Sequence, residues 1–141
     1  MSADTFIDTN VFIYQLEALD ERKSAIAEQL IRDGIAHGTA CISFQVIQET
    51  LNIVLRKAAI PLDREAARSY LETVLAPLFR VPATVDLYQR ALDVQGRYRY
   101  SFFDSLIVAA ALVAGCKRLY SEDLQHGQQI DGLTIHNPFT N

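Results

Sequence analysis

The sequence has few of the residues that mark a disulfide-rich or zinc-binding protein. Its 141 residues include two cysteines, Cys41 within an apolar run and Cys116 directly after a glycine. Two isolated cysteines provide neither a disulfide framework nor the ligand spacing of a zinc site. We therefore expect both thiols to be reduced and to serve as packing residues.

Long apolar runs and a leader pattern are missing as well. No stretch reaches the roughly 20 apolar residues that cross a bilayer, and the first residues lack the basic-then-apolar order of a signal peptide. Half of the residues are apolar and 21% are charged, which is typical of globular domains. These features predict one domain over 1–141, a cytoplasmic location and no membrane partner.

Glycine signatures of nucleotide-binding folds are also absent. The six glycines form neither a Walker loop nor a dinucleotide fingerprint, and no serine lies in a nucleophile elbow. A net charge of −4 does not indicate nucleic-acid binding by the whole chain. One basic and aromatic segment, Arg97-Tyr98-Arg99-Tyr100, is either a solvated face or a contact for a phosphate backbone and a base.

What the chain does contain is a regular alternation of strand-like and helical segments. The strand-like runs lie near 5–7, 39–43, 78–81, 119–120 and 133–136. Strands that alternate with amphipathic helices favour a parallel sheet with helices on both faces. The sequence therefore predicts an α/β fold with a mostly parallel sheet of about five strands.

Four acidic residues lie where a carboxylate is unexpected. Asp8 directly follows the first strand-like run, and Asp123 comes soon after the fourth. Glu49 shares a helical stripe with apolar residues, and Asp104 begins the most apolar helix. Ligands of parallel sheets bind beyond the carboxyl ends of the strands, and buried charges are rare unless they are paired or bind metal. The four positions therefore indicate a common site.

Three of the four acids also have a simpler explanation. Asp8 could cap the next helix, Asp104 could be stabilised by the positive N-terminal end of its helix dipole, and Glu49 could be exposed to solvent. If the four carboxylates converge, however, they repel one another unless a cation neutralises them. No cysteine or histidine accompanies them, so the oxygen-only set would suit Mg²⁺ or Mn²⁺.

The segments that carry these acids resemble the acidic motifs of PIN domains, and most closely those of the VapC ribonuclease toxins of toxin–antitoxin pairs. The similar segments follow the family's order: FIDTNV at 6–11, QVIQET at 45–50, SFFDSLIVAAA at 101–111, YSEDLQHG at 120–127 and IHNPF at 135–139. Each motif alone is weak, but the ordered set spans the chain and is specific.

This resemblance implies a three-layer α/β/α fold and a Mg²⁺-dependent endoribonuclease, with Mn²⁺ as a possible substitute. It also implies an RNA substrate, a homodimer and a small antitoxin partner, while 59–100 matches no diagnostic motif. Arg97 and Arg99 would then be candidate RNA contacts. The implied site consists of the acids Asp8, Glu49, Asp104 and Asp123, with Asn10 and Ser121 in support.

Three other interpretations remain at this stage. A PIN nuclease of RNA processing or decay, acting without an antitoxin, would share the same motifs. A catalytically silent module that binds RNA or protein would usually lack some of the acids. An aspartyl-phosphate phosphatase also has an aspartate after its first strand, but it needs a second one two residues later, where this chain has Asn10.

Overall fold

The computed structural model describes residues 3–56 and 62–140. Helices separate the first four strands within these ranges, and none of these helices is both long enough and apolar enough to cross a bilayer. The elements are β1 (Thr5–Ile7), α1 (Thr9–Leu16), α2 (Glu21–His37), β2 (Ala40–Ser43), α3 (Phe44–Arg56), α4 (Arg64–Tyr70), a π-helical turn (Leu71–Leu75), α5 (Ala76–Leu78), β3 (Phe79–Val81), α6 (Val85–Tyr98), α7 (Phe102–Val113), β4 (Arg118–Tyr120), β5 (Gln129–Ile130) and β6 (Leu133–His136).

The strands form one sheet in the order β3-β2-β1-β4-β6-β5. Every pairing is parallel except that of β5 with β6. At the centre, Phe6 of β1 is in register with Cys41 of β2 and Leu119 of β4. Helices cover the sheet in three α/β/α layers, which confirms the predicted fold class.

The sheet has a sixth strand that the sequence analysis did not identify. This strand, β5, contains two residues, too few for any alternation of apolar and polar positions to be visible. The turn before β6 did leave a signal in the sequence, the dipeptide Asp131-Gly132. In the structure these two residues have φ values of 48° and 88°. Two successive positive φ angles define the tight hairpin turn that Asp-Gly dipeptides favour.

The apolar residues of the strands and helices pack together into one large buried core. All four residues of β2 are buried, and so are seven consecutive residues of α7, 105–111. A helix that is apolar on every side is expected to be enclosed on every side, and the middle of α7 is, although Phe103 near its start and Val113 at its end are exposed. Cys41 and Cys116 are free and buried, with their sulfurs 3.5 Å apart, as expected of packing residues.

The connections after two central strands are unusually short, and this shapes the site. One residue, Asp8, separates β1 from α1, and α3 begins at the residue after β2. The amino ends of α1 and α3 therefore stand at the edge of the sheet where the parallel strands end. Free N–H groups at helix starts and side chains at strand ends meet at this carboxyl edge.

Candidate metal site

A pocket of about 380 Å³ opens at the carboxyl edge of the sheet. Five of the residues predicted for the site line it: Asp8, Asn10, Glu49, Asp104 and Asp123. They come from the residue after β1, from α1, α3 and α7, and from the segment after β4, so residues more than a hundred positions apart share one cavity. Apolar side chains, including Ile13, Ile53 and Ile107, also line the pocket.

Asp8 is the most buried of the four acids and is held on both oxygens. Its Oδ1 accepts a hydrogen bond of 2.7 Å from the backbone N–H of Thr9, and its Oδ2 accepts one of 2.9 Å from the hydroxyl of Ser121. Asp8 is thus the N-cap of α1, so the simpler explanation holds in part. Asp8 also lines the pocket, so its role as a helix cap does not fully explain why an acid lies at this position.

Burial makes ionisation of Asp8 unfavourable. Loss of solvent raises its pKa to about 7, although the hydrogen bonds from Thr9 and Ser121 oppose the rise. The negative charges of Glu49 and Asp123 raise the pKa further. A carboxylate in these surroundings would gain strongly from a nearby cation, because the cation stabilises the charged form.

Glu49 is oriented by two neighbours that the sequence analysis did not assign to the site. The hydroxyl of Thr9 donates to Oε1 of Glu49 over 2.7 Å, and the amide of Gln45 donates to Oε2 over 3.3 Å. Gln45 also donates to the backbone carbonyl of Phe103 over 3.0 Å, which links α3 to the start of α7. Gln45 lies one helical turn before Glu49, and this i, i+4 spacing was the available signal.

Asp104 lies in the first turn of α7, where the helix dipole favours an acid. The cap of that helix is Ser101, whose hydroxyl accepts from the backbone N–H of Asp104 over 3.1 Å. The side chain of Asp104 is therefore not needed as the cap, and it lines the pocket.

Asp123 is the most exposed of the four acids. Partial burial raises its pKa, and the charges of Asp104 and Glu122 add to this effect, while the nearby Asn10 amide opposes it. The charge of Asp123 in turn raises the pKa of Asp8, so the pocket disfavours ionisation at both of these aspartates. Bound cations or protons would relieve this repulsion.

Polar atoms without partners lie among these acids. Within the described residues, both amide atoms of Asn10 and the amide oxygen of Gln45 are buried and make no hydrogen bond. The Asn10 amide influences Asp123 through its proximity but lacks the geometry of a hydrogen bond. Buried polar groups usually have partners, so orphaned ones at a pocket indicate that something polar binds there.

The residues fit a hydrated divalent ion. The carboxylates and amides of the pocket would bind a metal through oxygen atoms, and oxygen ligands suit Mg²⁺ or Mn²⁺ better than zinc. Within the described residues, no three acidic, histidine or cysteine side chains are grouped closely enough to enclose an ion. Mg²⁺ keeps several waters and commonly binds one or two carboxylates directly, so it does not need such an enclosure.

The predicted nucleic-acid contacts, Arg97 and Arg99, do not line the pocket. Arg97 forms a 2.9 Å ion pair with Asp131 and stacks over the ring of Tyr98, which in turn stacks on Tyr100. Arg99 ends α6 with a positive φ of 61°. Among the described residues that line the acidic pocket, neither arginine appears. Their role in binding RNA stays a prediction.

The fold and the pocket together define an α/β domain with an acidic pocket at the carboxyl edge of its sheet. The family model of the PIN domain matches residues 5–129, and this chain belongs to that family. No curated protein matches the sequence.

Several solved structures have a similar fold. A toxin–antitoxin complex from Klebsiella pneumoniae is 16% identical with a TM-score of 0.68, over 96% of this chain and 98% of that one. DNA-bound VapBC from Salmonella typhimurium is 15% identical with a TM-score of 0.69, over the same shares. VapC20 from Mycobacterium tuberculosis, a sarcin-ricin loop cleaving toxin, is 23% identical with a TM-score of 0.59, over 83% and 88%.

Proposed function

We propose that this PIN domain is a Mg²⁺-dependent endoribonuclease that acts as the toxin of a toxin–antitoxin pair, with Mn²⁺ as a possible substitute. The observation that carries the proposal is the single pocket lined by Asp8, Glu49, Asp104 and Asp123. Supporting it, one similar structure is a toxin that cleaves the sarcin-ricin loop. A single working domain over 1–141 is part of the proposal.

The chain's own residues divide the work in this mechanism. Asp8 and Asp104 would contact the ion directly, and Asp123 would act through one of its waters or through a second ion. When bound, the ion supplies a more acidic water and stabilises the negative charge that develops on the phosphodiester. Glu49 is fixed by Thr9 and Gln45, so its carboxylate is placed to orient the attacking water or to bind metal. Ser121 and the Thr9 N–H hold Asp8 in one orientation, and Asn10 supplies an amide beside Asp123.

Two protein partners belong to the proposal. An acidic pocket is complementary to an arginine or lysine, so the tail of a small antitoxin could block it with a cation. A homodimer is supported by large apolar side chains that are exposed on α6 and at the start of α7, including Leu92 at 60% and Phe103 at 64%. Exposed apolar groups of this kind mark surfaces that pair with other proteins.

The activity test uses purified protein, a structured RNA and a gel readout. We expect cleavage at internal positions with Mg²⁺, no cleavage with excess EDTA, and recovery when Mg²⁺ is restored. Asp8→Asn is the matched control because it keeps the shape of the side chain and removes its charge. Full cleavage in excess EDTA would contradict the metal mechanism, and hydrolysis of small phosphomonoesters without RNA cleavage would favour a phosphatase.

The toxin role requires a separate test in cells. We expect expression of the chain alone to slow growth, and co-expression of a small protein encoded beside it to restore growth. The Asp8→Asn variant should leave growth unaffected at the same protein level. Normal growth with abundant, RNA-cleaving wild-type protein would instead identify a nuclease of RNA processing or decay.

A further inference from the structure

The segment that carries Asp123 has no regular secondary structure. It lies between the end of β4 at Tyr120 and the start of β5 at Gln129. Its first residue is tied on both sides, because the Ser121 N–H donates to the His136 carbonyl over 3.1 Å and the Ser121 hydroxyl donates to Asp8. These contacts hold position 121 but do not reach Asp123, the most exposed acid of the pocket.

The neighbouring residue, Glu122, supplies the missing attachment. Its Oε1 accepts a 2.5 Å hydrogen bond from the hydroxyl of Tyr14, and its Oε2 accepts one of 2.6 Å from the ammonium of Lys23. The Lys23 ammonium also donates to the Tyr14 hydroxyl over 3.2 Å and lies 4.7 Å from the centre of the Tyr14 ring. The three side chains therefore close a triangle.

The triangle connects distant parts of the chain beside the pocket. Tyr14 belongs to α1 and also lines the pocket, while Lys23 belongs to the first turn of α2. The side chains of Lys23 and Glu122 are 26% and 24% exposed, so water only partly competes for their ion pair. A partly buried, charge-assisted hydrogen bond has a preferred geometry and resists displacement.

Glu122 by itself would harm the site. Its negative charge is next to Asp123 and makes ionisation of that aspartate harder. Lys23 neutralises Glu122 while Tyr14 occupies its other oxygen, so the glutamate can hold the segment with less repulsion of Asp123. This explains why an acid is tolerated directly beside a metal-site acid.

We propose that Lys23, Tyr14 and Glu122 form a positioning clamp that places Asp123 at the pocket and thereby sets the affinity for Mg²⁺. The inference rests on the proposed metal-dependent function. The clamp residues act through the backbone of 122–123 and are positioning residues. Groups that orient metal ligands in this way commonly change metal affinity by about 10- to 100-fold when they are removed.

The decisive variant is Lys23→Met, which keeps most of the side-chain length and removes the cation. Metal affinity is measured by calorimetric titration of Mg²⁺ and by the rise in melting temperature that Mg²⁺ produces. The clamp predicts that the Mg²⁺ concentration for half-saturation rises on the order of tenfold. Simple loss of a positive charge near an acidic pocket predicts the opposite, tighter binding of Mg²⁺.

Three further variants sharpen the test. Lys23→Arg keeps the cation and should restore much of the affinity. Tyr14→Phe keeps the ring and removes one donor, so it should weaken Mg²⁺ binding less than Lys23→Met. Arg32→Met removes an exposed cation of α2 that pairs with Glu28, and it should leave Mg²⁺ binding unchanged.

Cleavage of RNA separates positioning from direct binding. Lys23→Met should regain activity as Mg²⁺ is raised, whereas Asp123→Asn should not. Unchanged or tighter Mg²⁺ binding by a folded Lys23→Met protein would overturn the clamp while leaving the proposed function intact. Wild-type protein that neither binds Mg²⁺ nor cleaves RNA would instead overturn the proposed function.

Discussion

The two edges of the parallel sheet are built in opposite ways. At the amino edge the contacts are close and largely apolar: Cys41 lies against Cys116, and α2 approaches β2 so closely that a Cβ on Gly34 would lie 2.5 Å from the Cβ of Ala40. At the carboxyl edge, Asp8 is buried with a raised pKa, and the amide of Asn10 has no hydrogen-bond partner within the described residues.

The difference shows where stability and function are separated. Tight apolar packing stabilises the folded state, whereas converging carboxylates and orphaned amides destabilise it. Active sites commonly hold such unfavourable groups, because the ligand supplies the missing interactions. Changes at the two edges should therefore have opposite consequences, and the predictions below run from the largest expected effect to the smallest.

The largest effect should follow from Asp8→Asn at the carboxyl edge. Changes of groups that merely orient a metal ligand cost about 10- to 100-fold, so loss of a ligand should lower RNA cleavage by about 1000-fold or more. The amide keeps the shape of the carboxylate, and without metal the variant should be at least as stable as wild type near neutral pH. Rates from a gel assay and melts in EDTA measure both effects.

The matching change at the amino edge is Cys41→Ala. It leaves a small cavity, so it should lower the free energy of unfolding by about 1 kcal/mol, and the folded protein should cleave RNA normally. Equal loss of cleavage in the two variants would remove the distinction between the edges.

The next effect concerns the pH dependence of stability in the absence of metal. The native state keeps the proton of Asp8 up to a pKa of about 7, whereas the unfolded chain loses it near the ordinary aspartate pKa of 3.8. The native state binds more protons in this window, so rising pH favours unfolding. Asp8 should therefore reduce stability as pH rises from about 4 to about 7, by at most about 4 kcal/mol, and have no further effect above that.

Urea unfolding in EDTA at a series of pH values measures this effect. The difference between wild type and Asp8→Asn isolates it from other acids, and Mg²⁺ should reduce it because the cation favours the charged form. A difference that does not vary with pH would show that Asp8 ionises normally.

A smaller loss of stability should follow from Gly34→Ala in α2. The added Cβ meets Ala40 at 2.5 Å, so the helix must move away from β2, at a cost of about 1–3 kcal/mol. The control is Gly96→Ala in α6, where an added Cβ meets no atom within 4 Å. That change should be neutral or stabilise by up to about 1 kcal/mol, because alanine favours helices over glycine.

Chemical denaturation compares the two glycine variants, and Gly34→Ala combined with Ala40→Gly should recover the lost stability. The folded fraction of each variant should cleave RNA at the wild-type rate. Similar stability of the two single variants would show that the close approach at the amino edge is not limiting.

The smallest effect concerns the arginines outside the pocket. Asparagine tolerates positive φ, so Arg99→Asn removes a charge with little strain at φ 61°. If Arg99 contacts RNA, affinity should fall several-fold and the salt dependence of binding should weaken by about one unit of slope. Arg97→Ala should have less effect, because Asp131 already pairs with Arg97. Unchanged affinity in both variants, measured at fixed salt, would contradict the predicted contact.

The sequence by itself determined the alternation of strands and helices and the four acidic positions. Asp8 and Asp104 could be recognised because each lies beside a segment whose type is visible in the sequence. Asp8 follows a short β-prone run, and Asp104 lies at the start of an apolar helix. Local spacing suffices there, since strand ends and helix starts are visible within a few residues. The two-residue strand β5 was missed because so short a segment has no period.

Only the tertiary structure decided which polar groups support these acids. Tyr14 and Lys23 meet Glu122 across 108 and 99 positions, and Thr9 meets Glu49 across 40. No local pattern encodes such meetings, because they depend on how α1, α2 and α3 pack around the carboxyl edge. The raised pKa of Asp8 has the same origin: burial, which only the assembled fold provides, is its largest cause.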